Sequence, residues 1–324
     1  VAGLLTLAGL IFGLLYRYPG QLKPYVPGTD QLEIHALDVG QGDGLLMITP
    51  ERKTVLIDAG PPETDDQVVE ALNRVGVKEI DVVVATHPHA DHIGGITKVL
   101  DAFPVKMFLD SGQAHSTQTY RRLLEEIRER GIRFVAADAG QEFELDSGVV
   151  LHVLGPSKPL IEKSQGSELN ANSVVIRLTY GDFSMLLTGD SEAETEERLL
   201  ERTASSLSAT VLKVAHHGSR YATGAAFLKS VQPEVAVISC GTDNEYGHPA
   251  QTTLDRLRKA GVELYRTDLQ GHITIYTDGT AYRIETERPA SGDLWAGRRT
   301  GGEAGMDSNA SDRRRSGRAK GSSR

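Results

Sequence analysis

The stretch Ala85-Thr86-His87-Pro88-His89-Ala90-Asp91-His92-Ile93-Gly94-Gly95 decides how this chain is read. The residues ahead of it, Asp81 to Ala85, are mostly β-branched and apolar, as a buried strand requires. Gly95 to Leu100 behind it reads as the start of a helix. Three histidines and an aspartate therefore lie on a strand-to-helix loop, where a rigid scaffold can present them to one cavity. In an extended segment His87 and His89 point the same way, because side chains repeat every second residue. Two imidazoles about 6–7 Å apart along a strand can pinch one metal ion. The chain then turns, and Asp91 with His92 addresses a second position suited to a borderline or hard divalent ion. The spacing predicts half of a two-metal site within six residues.

The 324 residues suffice for one large α/β domain with appendages. A formal net charge of −9 gives no overall basic signature, so a nucleic-acid substrate must be gripped locally, by metals and a basic patch. Cys240 is the only cysteine and sits in the apolar run from Val235, where a core role is expected. An intrachain disulfide and a cysteine-based zinc site are both excluded.

Four segments follow from composition. Val1 to Tyr18 is apolar with no charge before Arg17, and is expected to be a transmembrane segment or signal anchor of borderline length. It lacks the basic start and small-residue cleavage site of a signal peptide. Its first residue is Val, so the expectation is either a non-standard start or the last span of a longer chain. Residues 19–31, rich in Pro and Gly, read as a linker. Residues 32–287 carry two successive runs of alternating strands and helices, which fit a sheet-on-sheet sandwich with helices outside. Residues 288–324, rich in Gly, Ser and Arg, read as a disordered basic tail.

His87-x-His89-x-Asp91-His92 resembles the signature of the metallo-β-lactamase superfamily. The resemblance implies an α/β fold, a four-layer αββα sandwich, and two divalent ions, zinc or manganese, held by His87, His89, Asp91, His92, Asp190 and His248. Asp190 ends the strand Leu186-Leu187-Thr188-Gly189 and resembles the carboxylate that touches both ions. Asp58, after Leu56-Ile57, resembles the aspartate that orients the histidine loop. By order and distance, His248 in Tyr246-Gly247-His248-Pro249 matches the last ligand and is expected to close the Asp91/His92 position. His216 and His217 then stand where phosphodiesterase branches place a proton donor. His217 is expected as the acid and His216 as its neighbour or an extra ligand, with the reverse assignment open.

One superfamily histidine is missing between Asp91 and Asp190. His115 sits in a polar loop and His152 inside a strand, and neither fits. Asn170-Ala171-Asn172-Ser173 takes the place, and Asn172 could offer a carbonyl oxygen. An ion short of nitrogen ligands at His87/His89 favours manganese or magnesium over zinc.

Several blocks narrow the branch: Leu37-Asp38-Val39-Gly40-Gln41-Gly42-Asp43, Asn172-Ser173-Val174-Val175, Lys213-Val214-Ala215-His216-His217-Gly218-Ser219 and Tyr265-Arg266-Thr267-Asp268. Together with the histidine loop they resemble the hydrolase domain of ComEC-type competence proteins, whose pattern also lacks that histidine. The resemblance implies a nuclease acting on DNA in uptake. It also implies a competence channel and the membrane as partners, and a domain held outside the cytoplasm at the cell membrane. Asp38, Asp43, Asn172, Ser173 and Lys213 are expected near substrate or behind the ligands, and Lys213, Arg220 and Arg266 as a local phosphate grip. Two other functions stay open: hydrolysis of another phosphodiester of phosphocholine type, and a membrane-tethered module that binds DNA without turnover.

Overall fold

The computed structural model describes residues 31–298, apart from 147, 165, 204 and 205, together with the backbone of Tyr16–Arg17. The strands are β1 (Tyr16–Arg17), β2 (Leu32–Ala36), β3 (Leu45–Ile48), β4 (Thr54–Ile57), β5 (Ile80–Ala85), β6 (Val105–Asp110), β7 (Arg133–Ala136) and β8 (Glu142–Asp146) in the first half. In the second half follow β9 (Val149–Gly155), β10 (Val175–Tyr180), β11 (Phe183–Leu187), β12 (Val211–Lys213), β13 (Val235–Ile238), β14 (Glu263–Arg266), β15 (Ile273–Thr277) and β16 (Tyr282–Thr286). Helices α1 (Asp65–Arg74), α2 (Ala90–Ile93), α3 (Ile96–Ala102), α4 (Gln118–Glu129), α5 (Glu168–Ala171), α6 (Ala193–Thr203), α7 (Ala225–Val231), α8 (Gln251–Lys259) and α9 (Thr267–Gln270) connect them.

Two sheets result. The first has the order β1-β16-β15-β2-β3-β4-β5-β6-β7 and the second β14-β13-β12-β11-β10-β9-β8. Each is antiparallel on one side and parallel on the other, parallel from β4 to β7 and from β11 to β14. The alternation of side chains along β5 explains the layers. Val82 and Val84 enter the core between the sheets, with Val211, Val235 and Val237 of the facing sheet. Val83 and Ala85 face the other way, onto Leu72 of α1 and Val99 of α3. On the far side Leu212 and Ala236 meet Phe227 of α7 and Leu254 of α8. Helices thus cover both outer faces, giving the expected αββα sandwich.

The parallel strands of both sheets end at one edge of the sandwich, where loops following such strands carry function in open α/β sheets. Asp58 follows β4, the histidine loop follows β5, Asp190 follows β11, and His216-His217 follows β12. Hydrogen bonds knit these loops together: Val174 N–H to Thr86 O at 2.8 Å across the two sheets, and His216 N–H to Gly189 O at 3.1 Å within the second. Gly42 permits a close approach here. A Cβ on it would lie 2.2 Å from the Asp91 carbonyl oxygen.

One boundary differs from the sequence reading. The tail was expected to begin at Arg288, but residues 288–298 pack on the domain. Leu294 and Trp295 lie against the α7–α8 core, and Arg298 Nη2 sits 2.6 Å from Asp268 Oδ2. A Gly- and Arg-rich composition hides this, because the anchoring partners Asp268 and Gln251 lie elsewhere in the chain. Residues 299–324 lie outside the described residues. So does the expected membrane segment, apart from Tyr16–Arg17, whose backbone pairs with β16 as a strand. Among the described residues no helix is long and apolar enough to cross a membrane.

Candidate metal centre

Asp91, His92, Asp190 and His217 bring one ligand atom each to a common point. His92 Nε2 stands 3.3 Å from Asp190 Oδ1 and 3.8 Å from Asp91 Oδ2. His217 Nε2 stands 3.5 Å from Asp190 Oδ1 and 3.4 Å from Asp91 Oδ2. Two ligands of a tetrahedral zinc-type ion, each about 2.1 Å from it, stand ~3.4 Å apart, so these separations fit a shared ion. Asp190 Oδ1, His92 Nε2 and His217 Nε2 are all buried without a hydrogen-bond partner. A buried polar atom left unpaired costs about 1–3 kcal/mol, and a cation would satisfy all three at once.

The electrostatics agree. Burial disfavours a charged His92, but Asp190, Asp58 and Asp91 outweigh it and push its pKa well above the ordinary imidazole value. His217 is likewise buried, yet Asp190, Asp43 and Asp91 push it up to about 10. Without an ion the carboxylates are neutralised by protons on these imidazoles. A divalent ion would displace them, as metal binding at histidine sites does.

The opposite oxygen of Asp190 faces a second group. His87 Nε2 lies 3.9 Å from Asp190 Oδ2, and His89 Nδ1 lies 2.9 Å from His87 Nε2. Burial lowers the pKa of both His87 and His89 and keeps them neutral, the form that binds metal.

Residues 37–242 match the metallo-β-lactamase superfamily. The chain belongs to that superfamily. ComE operon protein 3 of Bacillus subtilis (strain 168) is 31% identical over 258 residues, which cover 74% of this chain and 32% of that protein. Competence protein ComA of Neisseria gonorrhoeae is 32% identical over 250 residues, covering 77% and 33%. The chain spans about a third of the length of these two relatives. CmlA, a diiron β-hydroxylase from Streptomyces venezuelae, superposes with a TM-score of 0.50 at 16% identity, covering 78% of this chain and 55% of that one. That likeness shows the fold alone.

Around this metallo-β-lactamase centre, buried carboxylates fix the imidazoles. Asp58, with a backbone φ of 58°, accepts from Thr86 N–H at 2.8 Å and Thr86 Oγ1–H at 2.7 Å, and its Oδ2 lies 2.7 Å from His92 Nδ1. Asp43 Oδ1 lies 3.5 Å from His217 Nδ1, which also lies 3.0 Å from Ser239 O. Such partners set the tautomer and aim the other ring nitrogen at the metal. Ser173 Oγ accepts from Asp190 N–H at 3.3 Å and steadies that carboxylate.

The superfamily positions differ from the sequence reading in four places. His217, not His248, completes the Asp91/His92 group. His248 lies outside it, its ring centre 6.4 Å from that of His217, and Tyr246 stacks on it at 5.9 Å. Asn172 does not face the centre. Its amide is spent on Ile161 N–H, Ile161 O and Glu168 O. Asn170 faces inward instead, with Nδ2 3.3 Å from Glu192 Oε1 and 3.4 Å from His216 Nε2. Two expected phosphate-gripping cations are buried in ion pairs. Lys213 Nζ is 2.8 Å from Asp43 Oδ2, and Arg266 pairs with Asp268 at 2.7 Å. Arg220 is exposed, and its charge disfavours a charged His248. Asp38 lies away from the centre, accepting from Gly40 N–H and pairing with Arg288 at 3.5 Å. His152 is tied to Glu142 and Thr179, away from the centre.

Glu192 and Asn170 were not foreseen. Glu192 reads in sequence as the acidic start of helix α6, and only Asp190-x-Glu192 at a strand end hints at more. His216 and His217 also carry an unseen backbone feature, with φ of 48° and 52°. Left-handed non-glycine residues cost roughly 1–2 kcal/mol each, and such strain concentrates at functional sites.

Proposed function

We propose that this chain is a metal-dependent phosphodiester hydrolase that cuts DNA, working with two divalent ions, zinc or manganese, that Asp190 and the imidazoles around it would hold. One observation carries the reading: the two carboxylate oxygens of Asp190 face two separate groups of imidazoles, Oδ1 toward His92 and His217, Oδ2 toward His87. Divalent ions held there would supply an acidified water and neutralise phosphate oxygens.

The chain's own residues do the rest. Asp58 and Asp43 hold His92 and His217 in one orientation, so the centre is preorganised before substrate arrives. His248 is the free imidazole beside the centre, and its Nδ1 is buried without a partner. In the free chain burial lowers its pKa, and nearby His217 and His216 lower it further, to about 3. A bound phosphodiester anion favours its protonation, and His248 then gives a proton to the leaving oxygen. Exposed Arg220 meets the phosphate, and exposed Tyr246 gives a flat face to a base.

A relative named Competence protein ComA supports DNA as the substrate and uptake as the setting. In that setting a channel is the partner, and the domain works at the cell membrane outside the cytoplasm.

The test is cleavage of single- and double-stranded DNA by the metal-stripped chain resupplied with Mn²⁺, Zn²⁺ or Mg²⁺, with Asp190→Ala beside it. Cleavage that needs the ion and vanishes in the variant is the expected result. No DNA cleavage with any ion, alongside hydrolysis of bis(p-nitrophenyl) phosphate, would move the substrate to another diester. No turnover of either would leave a binding role.

A further inference from the structure

Three imidazoles at the centre share one arrangement. Each has Nδ1 beside a buried carboxylate and Nε2 toward Asp190. For His92 the carboxylate is Asp58 at 2.7 Å, and Nε2 is 3.3 Å from Asp190 Oδ1. For His217 it is Asp43 at 3.5 Å, and Nε2 is 3.5 Å from the same oxygen. For His216 it is Glu192, with Oε1 3.3 Å from Nδ1, and Nε2 is 3.7 Å from Asp190 Oδ2, with Asn170 Nδ2 also near it at 3.4 Å. A histidine that binds metal usually has a carboxylate, carbonyl or water on its far nitrogen.

The third arrangement points at the other oxygen of Asp190. That oxygen also faces His87 Nε2, at 3.9 Å, with His89 Nδ1 2.9 Å further on. The His87/His89 position is the one left short of a nitrogen by the absent superfamily histidine. We propose that His216, oriented by Glu192, is the ligand that fills this gap, supplied from the loop after β12 rather than from the segment before β10. The proposal rests on the two-ion reading above.

Glu192 is built for the task. It is 3% exposed and is held by Ser164 Oγ–H at 3.1 Å, Ser167 N–H at 3.2 Å and Asn170 Nδ2–H at 3.3 Å. One of these braces, Asn170, comes from the segment that takes the place of the missing superfamily histidine. The left-handed backbone at His216 is pinned on both sides, its N–H donating to Gly189 O and its carbonyl accepting from Ser219 N–H at 2.7 Å. It is this turn that sends two successive imidazoles to opposite oxygens of one carboxylate.

The experiment counts ions. The metal-stripped full chain is titrated with Mn²⁺, bound manganese is measured by mass spectrometry, and spin coupling by electron paramagnetic resonance. The wild-type chain is expected to bind two ions with a coupled spectrum. His216→Ala is expected to keep one ion, uncoupled, with the second at least about tenfold weaker. Glu192→Gln is expected to keep both at saturation, with one weakened about 10–100-fold. Two coupled ions with unchanged affinity in His216→Ala would overturn the proposal and leave the two-ion reading standing. A single ion in the wild-type chain would sink that reading, and this proposal with it. If His216→Ala loses its far-ultraviolet dichroism, Glu192→Gln decides: unchanged affinity overturns the proposal.

Discussion

Asp43 and Lys213 form an ion pair at 2.8 Å with both side chains buried, and the same carboxylate faces His217 with its other oxygen. Burial pushes the Asp43 pKa up, but Lys213 and His217 outweigh it and hold it at about 2. The lysine is therefore a support of the centre and not a contact for substrate. Removing one partner of a buried pair typically costs about 3–5 kcal/mol, because the other charge stays buried and uncompensated. Lys213→Met should lose stability of that order in urea unfolding of the metal-free chain. Adding Asp43→Asn should recover much of the loss. Equal losses in the single and double variants would refute the pairing.

Asp58 should act on metal affinity rather than on the fold's surface. Its carboxylate joins Thr86 to His92 Nδ1. Asp58→Asn keeps the shape but offers the ring a poorer acceptor, so affinity for one ion should fall about 10–100-fold. Calorimetric titration with Mn²⁺ measures it, and an unchanged affinity would contradict the role.

His248 and His217 should separate cleanly. His217→Ala removes a proposed ligand and should lower bound metal together with turnover. His248→Ala should keep the metal content and lower kcat by about 10²–10⁴-fold, the usual worth of an acid catalyst. Loss of metal in His248→Ala would restore it as a ligand.

Glu196 on α6 couples the fold to pH. Its carboxylate accepts from Thr223 N–H and from Gly224 N–H at 2.8 Å, at the start of α7. Burial outweighs these bonds and raises its pKa to about 7. The folded chain thus holds this proton more tightly than the unfolded chain. The contribution is full below about pH 4.5 and is lost as pH rises through about 7. Melting temperature should fall from pH 5 to pH 8, and Glu196→Gln should flatten that slope. An equal slope in the variant would exclude Glu196 as its source.

The segment after Glu287 should stabilise the domain. Arg266 donates to Leu294 O at 2.9 Å and to Ala296 O at 2.7 Å, and Arg298 reaches Asp268. A chain ending at Glu287 loses these bonds to charged Arg266, each worth about 1.5–3 kcal/mol at most. It should melt several degrees below a chain ending at Arg298, and identical melting would show the strap to be idle.

The sequence by itself determined the αββα architecture, the histidine loop, and the strand-end aspartates Asp58 and Asp190. These are local: a β-branched run, a two-residue spacing and a turn are all read within a few residues. Tertiary structure alone decided which later histidine reaches Asp190. Strand β12 pairs directly with β11, Met185 beside Val211, while β13 lies one strand further out. His217 at the end of β12 therefore arrives beside Asp190, and His248 beyond β13 stays at a distance, although spacing along the chain suggested the reverse. The exchange of Asn172 for Asn170 has a similar cause. Two residues at the end of the short helix α5 differ by roughly 200° in direction, so one faces the centre and the other the loop at Ile161. Lys213 and Arg266 look like surface cations in sequence, because the aspartates that bury them are set by packing between loops and not by neighbouring residues.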